Sequence, residues 1–256
     1  MKKVLFFIVL TLAGGFVFAQ EAAVIVERSR NRIQADTVRT RSRMVITARG
    51  GSQTQRMMDQ YSKKDSNGNN RSVIVFIEPA TVRGVRFLTL ENQDRANDQW
   101  LFLPSAGRIR RISAAEGSSS FQGTDFSNDD IASTDRRTEL DNHSFLREEI
   151  LNNRVCYVIE SIPKDSGYQY SKMIQWIDRE NFVTHKIELY DRRGTLIKLL
   201  ELLELSEVQG ILSPMVTRMT TIAAGTSTTL NVENIRYNDN IPEGVFTTNY
   251  LETGRP

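Results

Sequence analysis

The sequence predicts a mainly β protein of the α+β class that is built on one long antiparallel sheet. Roughly a dozen strand-like runs follow one another along the chain, and short turns rich in glycine, asparagine or proline separate them. Only the start of the chain has a helical pattern, and the strand-helix-strand alternation of nucleotide-binding folds is missing. A meander of this length tends to curl into a barrel or half-barrel.

The first 19 residues predict export. Lys2 and Lys3 form a short basic start, residues 4–18 are apolar, and Ala19 is the small residue that signal peptidase requires at the cleavage site. The apolar run is shorter than the about 20 residues of a membrane-spanning helix, although an uncleaved anchor is the alternative. We therefore expect a cleaved signal peptide at 1–19, a periplasmic protein, and one domain over residues 20–256.

Composition argues against several classes of function. The chain has 33 basic and 31 acidic residues, and removal of Lys2 and Lys3 would leave 31 of each. Without net positive charge, general nucleic-acid binding lacks its electrostatic driving force. Cys156 is the single cysteine, which excludes an internal disulfide and indicates a small buried hydrophobic residue.

No cofactor or metal site is expected from the residue pattern. The two histidines, His143 and His185, are not accompanied by a Cys/His cluster of the kind that holds zinc. Residues 65–69 resemble the start of a calcium loop, but Phe76 stands where the terminal glutamate would be needed, so we expect a hairpin turn there.

The elements follow in order from hydrophobic spacing. Ala23, Val26 and Ile33 are spaced as on an amphipathic helix, which predicts a helix over residues 21–38. Six strands are predicted next, at residues 41–48, 55–63, 71–78, 85–91, 99–103 and 109–112. Seven more are predicted after a loop, at residues 138–149, 154–162, 172–178, 183–190, 196–208, 212–223 and 227–237.

Alternation within the strands indicates which faces are covered. Val183, His185, Ile187 and Leu189 should point to one face of their strand, towards a core or a cavity. Residues 73–77 are apolar on both faces, so we expect a helix to cover their second side. The residues alone favour a filled core and a ligand cavity equally.

The segment from residue 98 to residue 131 carries the most information. Two short apolar strands, at 99–103 and 109–112, lead into a glycine- and serine-rich loop that holds only a few large apolar residues. This layout is typical of a strand pair with a movable flap. The alternative is a surface loop that its aromatic residues simply anchor.

This segment resembles the corresponding part of the outer membrane lipoprotein-sorting proteins. These are LolA-like periplasmic carriers of lipoproteins or lipids. The same family is matched, in the same order along the chain, by residues 77–84 and 87–89 and by weaker motifs at 176–178, 190–194 and 242–246. The resemblance covers nearly all of the chain after residue 19. It implies an open, curved antiparallel sheet, a half-barrel, with an apolar cavity, covering helices and a lid.

The resemblance also implies a function and a set of site residues. The function is non-enzymatic: the acyl chains of lipoproteins or phospholipids are bound in the cavity and sorted towards the outer membrane, between membrane-bound donor and acceptor proteins. The expected cavity wall is Phe76, Phe87, Leu101, Leu103, Ile112, Trp176 and Ile187. The expected apolar underside of the lid is Phe121, Phe126 and Ile131. Basic residues expected at the rim, to bind a headgroup or to latch the lid through Asp129 and Asp130, are Arg83, Arg86, Arg110 and Arg111. A solvated strand face explains these arginines equally well.

Two other functions remain open at this point. A lipid-cleaving hydrolase could use the same cavity with His143 as a base, although the Gly-x-Ser-x-Gly elbow is missing and Ser119 and Ser120 stand at the wrong spacing for it. An accessory subunit of a lipid-exporting pump is the other, and it would need an exposed apolar edge.

Overall fold

Thirteen antiparallel strands form one sheet in the computed structural model, which describes residues 13–93, 95–132 and 136–256. The first six strands are β1 (Thr37–Thr47), β2 (Gln53–Lys64), β3 (Asn70–Glu78), β4 (Arg86–Leu90), β5 (Asp98–Leu103) and β6 (Arg108–Ile112). The other seven are β7 (Asp141–Leu151), β8 (Arg154–Pro163), β9 (Lys172–Asp178), β10 (Thr184–Tyr190), β11 (Leu196–Val208), β12 (Ile211–Thr221) and β13 (Thr226–Tyr237). The α-helices are α1 (Ala13–Arg30), α2 (Asn128–Ala132) and α3 (Thr248–Thr253). The predicted fold class is therefore confirmed.

The strand order is that of two meanders, and the pairing of the first strand with the last joins them in the middle of one open sheet. Each strand pairs with the next one along the chain within β1–β6 and within β7–β13, and β1 pairs with β13. The edges of the sheet are consequently β6 and β7. Residues 113–132 and 136–140 belong to the connection between these two edges.

Each predicted strand overlaps an observed strand, but the predicted helix over residues 21–38 was wrong at its C-terminal end. α1 ends at Arg30, and β1 begins at Thr37 instead of residue 41. Thr37 and Val38 are β-branched, and they pair with Lys63 and Ser62 of β2. Strand pairing outweighs the helical spacing that Ile33 suggested.

The two faces of the sheet are covered by different parts of the chain. One face of the sheet lines a cavity, which is described below, and we call this face the inner face. On β3, Ile74 and Phe76 point to it, whereas Val73 and Val75 pack on the outer face. The outer side is covered by α3 and by the 3-10 turn Glu243–Phe246, as expected for a strand that is apolar on both faces.

The helix α1 covers the inner face at the β7 edge. Ala22, Ile25 and Val26 of α1 are buried against Ile159 and Ile177 of β8 and β9. Residues 1–12 of the predicted signal peptide lie outside the described residues, and its remainder lies within α1. Within the described ranges, no helix combines the length and hydrophobicity that crossing a membrane requires.

The turn at residues 65–69 is a hairpin turn, as expected. It joins β2 to β3, and the Asp65 carboxylate accepts hydrogen bonds from the backbone N–H groups of Asn67 and Asn69 at 2.8 and 2.9 Å. These contacts hold the pKa of Asp65 below its usual range, although partial burial opposes the shift.

Candidate functional site

A cavity of about 1760 Å³ lies between the inner face and the parts of the chain that cover it. Its covers are the C-terminal end of α1, the connection from α1 to β1, and residues from the segments 126–132 and 136–141. Pockets for small molecules usually have about 300–1,000 Å³. The cavity is therefore large enough for a ligand well above the usual size of a metabolite.

One wall of the cavity is apolar. It is formed by inner-face side chains of β9–β13 together with the connection between the two sheet edges. Its members are Phe126, Ile131, Met173, Ile187, Leu189, Leu200, Met219 and Leu230. Such a surface binds a ligand by removing apolar area from water.

The structure separates the predicted wall residues into three groups. Ile112 and Ile187 line the cavity. Phe76, Phe87 and Leu101 form a filled core instead, against which Leu103 packs. Trp176 lies on the outer face of β9, where it packs with Cys156 and Val158, because inner-face positions of that strand are taken by Met173 and Gln175.

Residues 113–132, which we call the lid, lie across the inner face. Phe121 is fully buried, with its ring centroid 5.9 Å from that of Phe76 and 5.1 Å from that of Phe87. Phe126 packs into the other half of the sheet, against Met173 and Met219 among others. The lid thus joins the two halves of the inner face, and Phe121 and Phe126 both point inward.

Polar contacts that the sequence did not indicate hold the tip of the lid. The Asp125 carboxylate accepts hydrogen bonds from Thr221 and Thr228 at 2.6 and 2.7 Å and also from Thr226. Arg56 donates to the carbonyl oxygen of Gln122 at 2.6 Å. All of these partners lie on β2 or at the β12–β13 hairpin, far from the lid in sequence.

The base of the lid is fixed by Asp130. Its carboxylate accepts hydrogen bonds from Lys198 at 2.9 Å, from Tyr170 at 2.8 Å and from Gln169 at 3.2 Å. The neighbouring Asp129 accepts a hydrogen bond from Gln99 at 3.2 Å. A side chain on Gly117 would collide with the Asp129 carboxylate, so glycine at this position permits the lid to pack.

The four predicted rim arginines do not act together. Arg110 pairs with Glu116 at the start of the lid, and Arg111 lines the cavity and pairs with Asp98. Arg83 donates to the carbonyl oxygen of Ile77 within its own turn, at 3.1 Å. Arg86 donates to the carbonyl oxygen of Leu251 at 2.7 Å, on the outer face. None of the four pairs with Asp129 or Asp130 among the contacts of the described residues; Gln99 and Lys198 take those places.

The environment shifts the pKa values of several groups around the lid. Burial raises the pKa of Asp129, helped by the adjacent Asp130, against the hydrogen bond from Gln99. Burial also raises the pKa of Tyr168 to about 12. The pKa of Asp98 is shifted in the opposite direction, since hydrogen bonds from Arg95, Asn92 and Arg111 lower it despite partial burial.

His143 lies at the end of the cavity next to α1. Its Nε2 is 2.9 Å from the carbonyl oxygen of Thr138, which can only accept, so Nε2 donates. In the neutral imidazole Nδ1 then accepts a hydrogen bond from the Ser161 hydroxyl at 2.8 Å. Ser161 is 0% exposed and also receives a hydrogen bond from Gln175 at 2.9 Å, which places its oxygen out of reach of a ligand in the cavity.

Several known proteins are similar to this chain. A family model described as "Uncharacterized protein" matches residues 68–253, and no curated protein matches. The crystal structure of a DUF1329 family protein from Desulfovibrio piger is 26% identical, covers 91% of this chain and 99% of its own, and superposes with a TM-score of 0.87.

Two further crystal structures extend the comparison. One is a candidate outer membrane lipoprotein-sorting protein domain from Vibrio parahaemolyticus, with 27% identity, coverage of 91% and 99%, and a TM-score of 0.86. The other is a LolA superfamily protein from Nitrosomonas europaea, with 24% identity, coverage of 90% and 98%, and a TM-score of 0.72. The resemblance inferred from the sequence is thereby confirmed. The chain belongs to the family of uncharacterized proteins that this family model describes, it is similar to a DUF1329 family protein, and it has the fold of the LolA superfamily.

Proposed function

We propose that this protein is a periplasmic carrier that holds the acyl chains of lipoproteins or lipids in its inner cavity and sorts them towards the outer membrane. The single observation that carries the proposal is the cavity of about 1760 Å³ with its apolar wall on β9–β13. Similarity to a lipoprotein-sorting domain and to a LolA superfamily protein supports the same class of function.

The energetics of an acyl chain explain why a carrier needs such a cavity. Transfer of each methylene out of water is worth about 0.8 kcal/mol, so a sixteen-carbon chain costs about 12 kcal/mol to leave exposed. Surface patches do not shield that much area. A cavity under a lid does, and the lid contacts around Asp125 and Asp130 give it a defined resting position.

Export and delivery are part of the same proposal. Cleavage after Ala19 would leave Gln20 as the first residue, and α1 would begin close to it. Membrane-bound donor and acceptor proteins would load and unload the cavity.

A lipid hydrolase is the second candidate because His143 and Ser161 are paired as a base and a hydroxyl. The complete burial of Ser161 argues against it. A hydrolase would need a movement that exposes this side chain to the cavity.

Mass spectrometry of lipids that copurify with the exported protein tests these functions. A carrier retains intact phospholipid or lipoprotein in stoichiometric amount. Fatty acid and lysolipid that accumulate with time, and that disappear on Ser161→Ala or His143→Ala substitution, would indicate a hydrolase. Absence of both would leave an accessory role at an export pump as the better explanation.

A further inference from the structure

A row of uncharged polar residues crosses the inner face of β2–β5. Strand register pairs Ser62 with Ser72, Ser72 with Thr89, and Thr89 with Gln99. Residues directly opposite one another in antiparallel strands project to the same face, so these four side chains form one line across four strands. All four line the cavity. We call this line the polar row.

Two members of the polar row are buried and have polar atoms to spare. Thr89 is 3% exposed and Gln99 is 6% exposed. Thr89 Oγ1 and Gln99 Oε1 have no hydrogen-bond partner within the part of the chain that the structure describes. Gln99 directs its Nε2 to the Asp129 carboxylate, which leaves Oε1 as the free end of the amide. Buried polar groups in proteins are nearly always paired, so these two atoms point to a ligand.

The position of the polar row follows the packing of the lid. The adjacent row on the same strands contains Ile74, Phe87 and Leu101, which are paired in register and packed beneath Phe121 of the lid. The change from apolar to polar side chains therefore occurs where the filled core ends and the cavity begins. A core that only needed to be filled would have no use for unpaired polar groups at this level.

The cavity consequently has two unlike walls. Side chains of β9–β13, among them Ile187, Leu200 and Met219, form the apolar wall. The polar row on β2–β5 carries hydroxyl and amide groups and no charge. Thr89 offers a hydroxyl that can donate, and Gln99 Oε1 can only accept, so the complementary ligand group contains both an acceptor and a donor.

We propose that the polar row binds the uncharged polar part of an acyl lipid, namely neighbouring hydroxyl and ester or amide groups, while the acyl chain lies on the apolar wall. The inference rests on the proposed carrier function and adds the chemical class of the cargo's head. Selection then depends on hydrogen bonding, because an analogue without the polar group leaves Thr89 and Gln99 unpaired.

Competition for a fluorescent apolar probe tests this selection. The mature, full-length protein is loaded with N-phenyl-1-naphthylamine, which is displaced with 1-palmitoylglycerol, with N-palmitoylethanolamine, or with hexadecane delivered from cyclodextrin. We expect both polar lipids to bind about tenfold more tightly than hexadecane, and the stronger of the two identifies an ester or an amide as the preferred group.

Substitution of Thr89 provides the decisive comparison. Thr89→Val should weaken binding of the polar lipid several-fold and leave hexadecane unchanged, and Thr89→Ser should restore the preference. In the lipid-free protein Thr89→Val should raise the melting temperature, since it removes an unpaired buried hydroxyl. Thr217→Val is the matched control, because Thr217 lines the same cavity on β12 and lies outside the polar row.

The outcomes separate this inference from the carrier function. Equal binding of all three ligands by the wild type, or an unchanged preference in Thr89→Val, would overturn the role of the polar row and leave the carrier function standing. Failure of the wild type to bind any of the ligands would contradict the carrier function itself.

Discussion

Lys198 Nζ lies 2.9 Å from a carboxylate oxygen of Asp130, and this ion pair joins the base of the lid to β11. The two side chains are only 15% and 7% exposed. Asp130 also accepts a hydrogen bond from Tyr170, so the contact belongs to a small buried network. The lid therefore has a charged attachment at its base, whereas its tip is held by the buried ring of Phe121 and by the hydrogen bonds of Asp125.

Removal of the positive charge at the base should loosen the lid. Lys198→Met keeps most of the side-chain length but leaves the Asp130 carboxylate half-paired in a buried place. Because a hydrogen bond to a charged group is worth about 2 kcal/mol, we expect a loss of that size in the free energy of unfolding and faster exchange of bound lipid. Urea denaturation and the dissociation rate of a fluorescent lipid measure the two effects. Arg147→Met is the control, since the Arg147–Glu149 pair is 52% and 36% exposed and should contribute less than about 1 kcal/mol.

Removal of the Phe121 ring at the tip of the lid should lower the free energy of unfolding by more than a substitution at the protein surface does. Phe121→Ala would leave a cavity between Phe76 and Phe87, and loss of a buried phenylalanine ring typically costs about 3 to 5 kcal/mol. Phe121→Leu fills part of that space and should cost less. Equilibrium unfolding of both variants gives the comparison. A loss of less than about 1 kcal/mol in the free energy of unfolding of Phe121→Ala would mean that packing of the lid tip does not depend on this ring.

Most of the fold could be predicted because each strand carries a local signal. The turns at residues 65–69 and 191–194 are marked by asparagine, aspartate and glycine, and the strands between turns are rich in β-branched and apolar residues. The junction between α1 and β1 could not be placed, because Ile33 continues the helical spacing while Thr37 already pairs with Lys63. Pairing between distant strands is not visible in a single sequence.

The candidate site was harder to predict than the fold, for the same reason. Phe121 and Phe126 stand out as large apolar residues in a glycine- and serine-rich loop, and the structure places them on the underside of the lid. Thr228 and Lys198 are ordinary strand residues in the sequence, and only the approach of the lid gives them a role. Trp176 shows the converse, since the family resemblance implied a place in the cavity wall although the register of β9 turns its side chain outward.

Protonation of Asp129 should make stability depend on pH with a defined sign. Because its pKa is raised in the folded protein, the folded state binds the proton more tightly than the unfolded chain does. This contribution is complete below about pH 4, the ordinary pKa of aspartate, and is lost as the pH rises through the raised value. Asp129→Asn should therefore be more stable than the wild type at pH 7 and match it near pH 4 in urea denaturation.

Asp98 provides the control for this pH dependence. Its lowered pKa contributes stability that is present above about pH 4 and is lost as the pH falls towards the folded value. Asp98→Asn should thus be less stable than the wild type at pH 7, and the difference should disappear in acid. If both substitutions changed the free energy of unfolding at pH 7 in the same direction, the opposite pKa shifts assigned to Asp129 and Asp98 would be contradicted.

Cleavage of the export signal should leave Gln20 at the N-terminus. Intact-mass measurement and N-terminal sequencing of protein from a periplasmic extract determine the processed end. Substitution of Ala19 by a bulky residue such as arginine should block cleavage, because signal peptidase requires a small residue there. Recovery of the unprocessed wild-type chain in the membrane fraction would instead indicate an uncleaved anchor.

Photo-crosslinking with a phospholipid that carries a diazirine at the end of one acyl chain tests the central claim most directly. If acyl chains lie in the cavity, peptide mapping should locate the crosslinks at the apolar wall on Met173, Ile187, Leu200 or Met219. An unlabelled lipid should compete for them. Crosslinks confined to the outer face, around Trp176 or the α3 segment, would contradict a carrier that encloses its cargo beneath the lid.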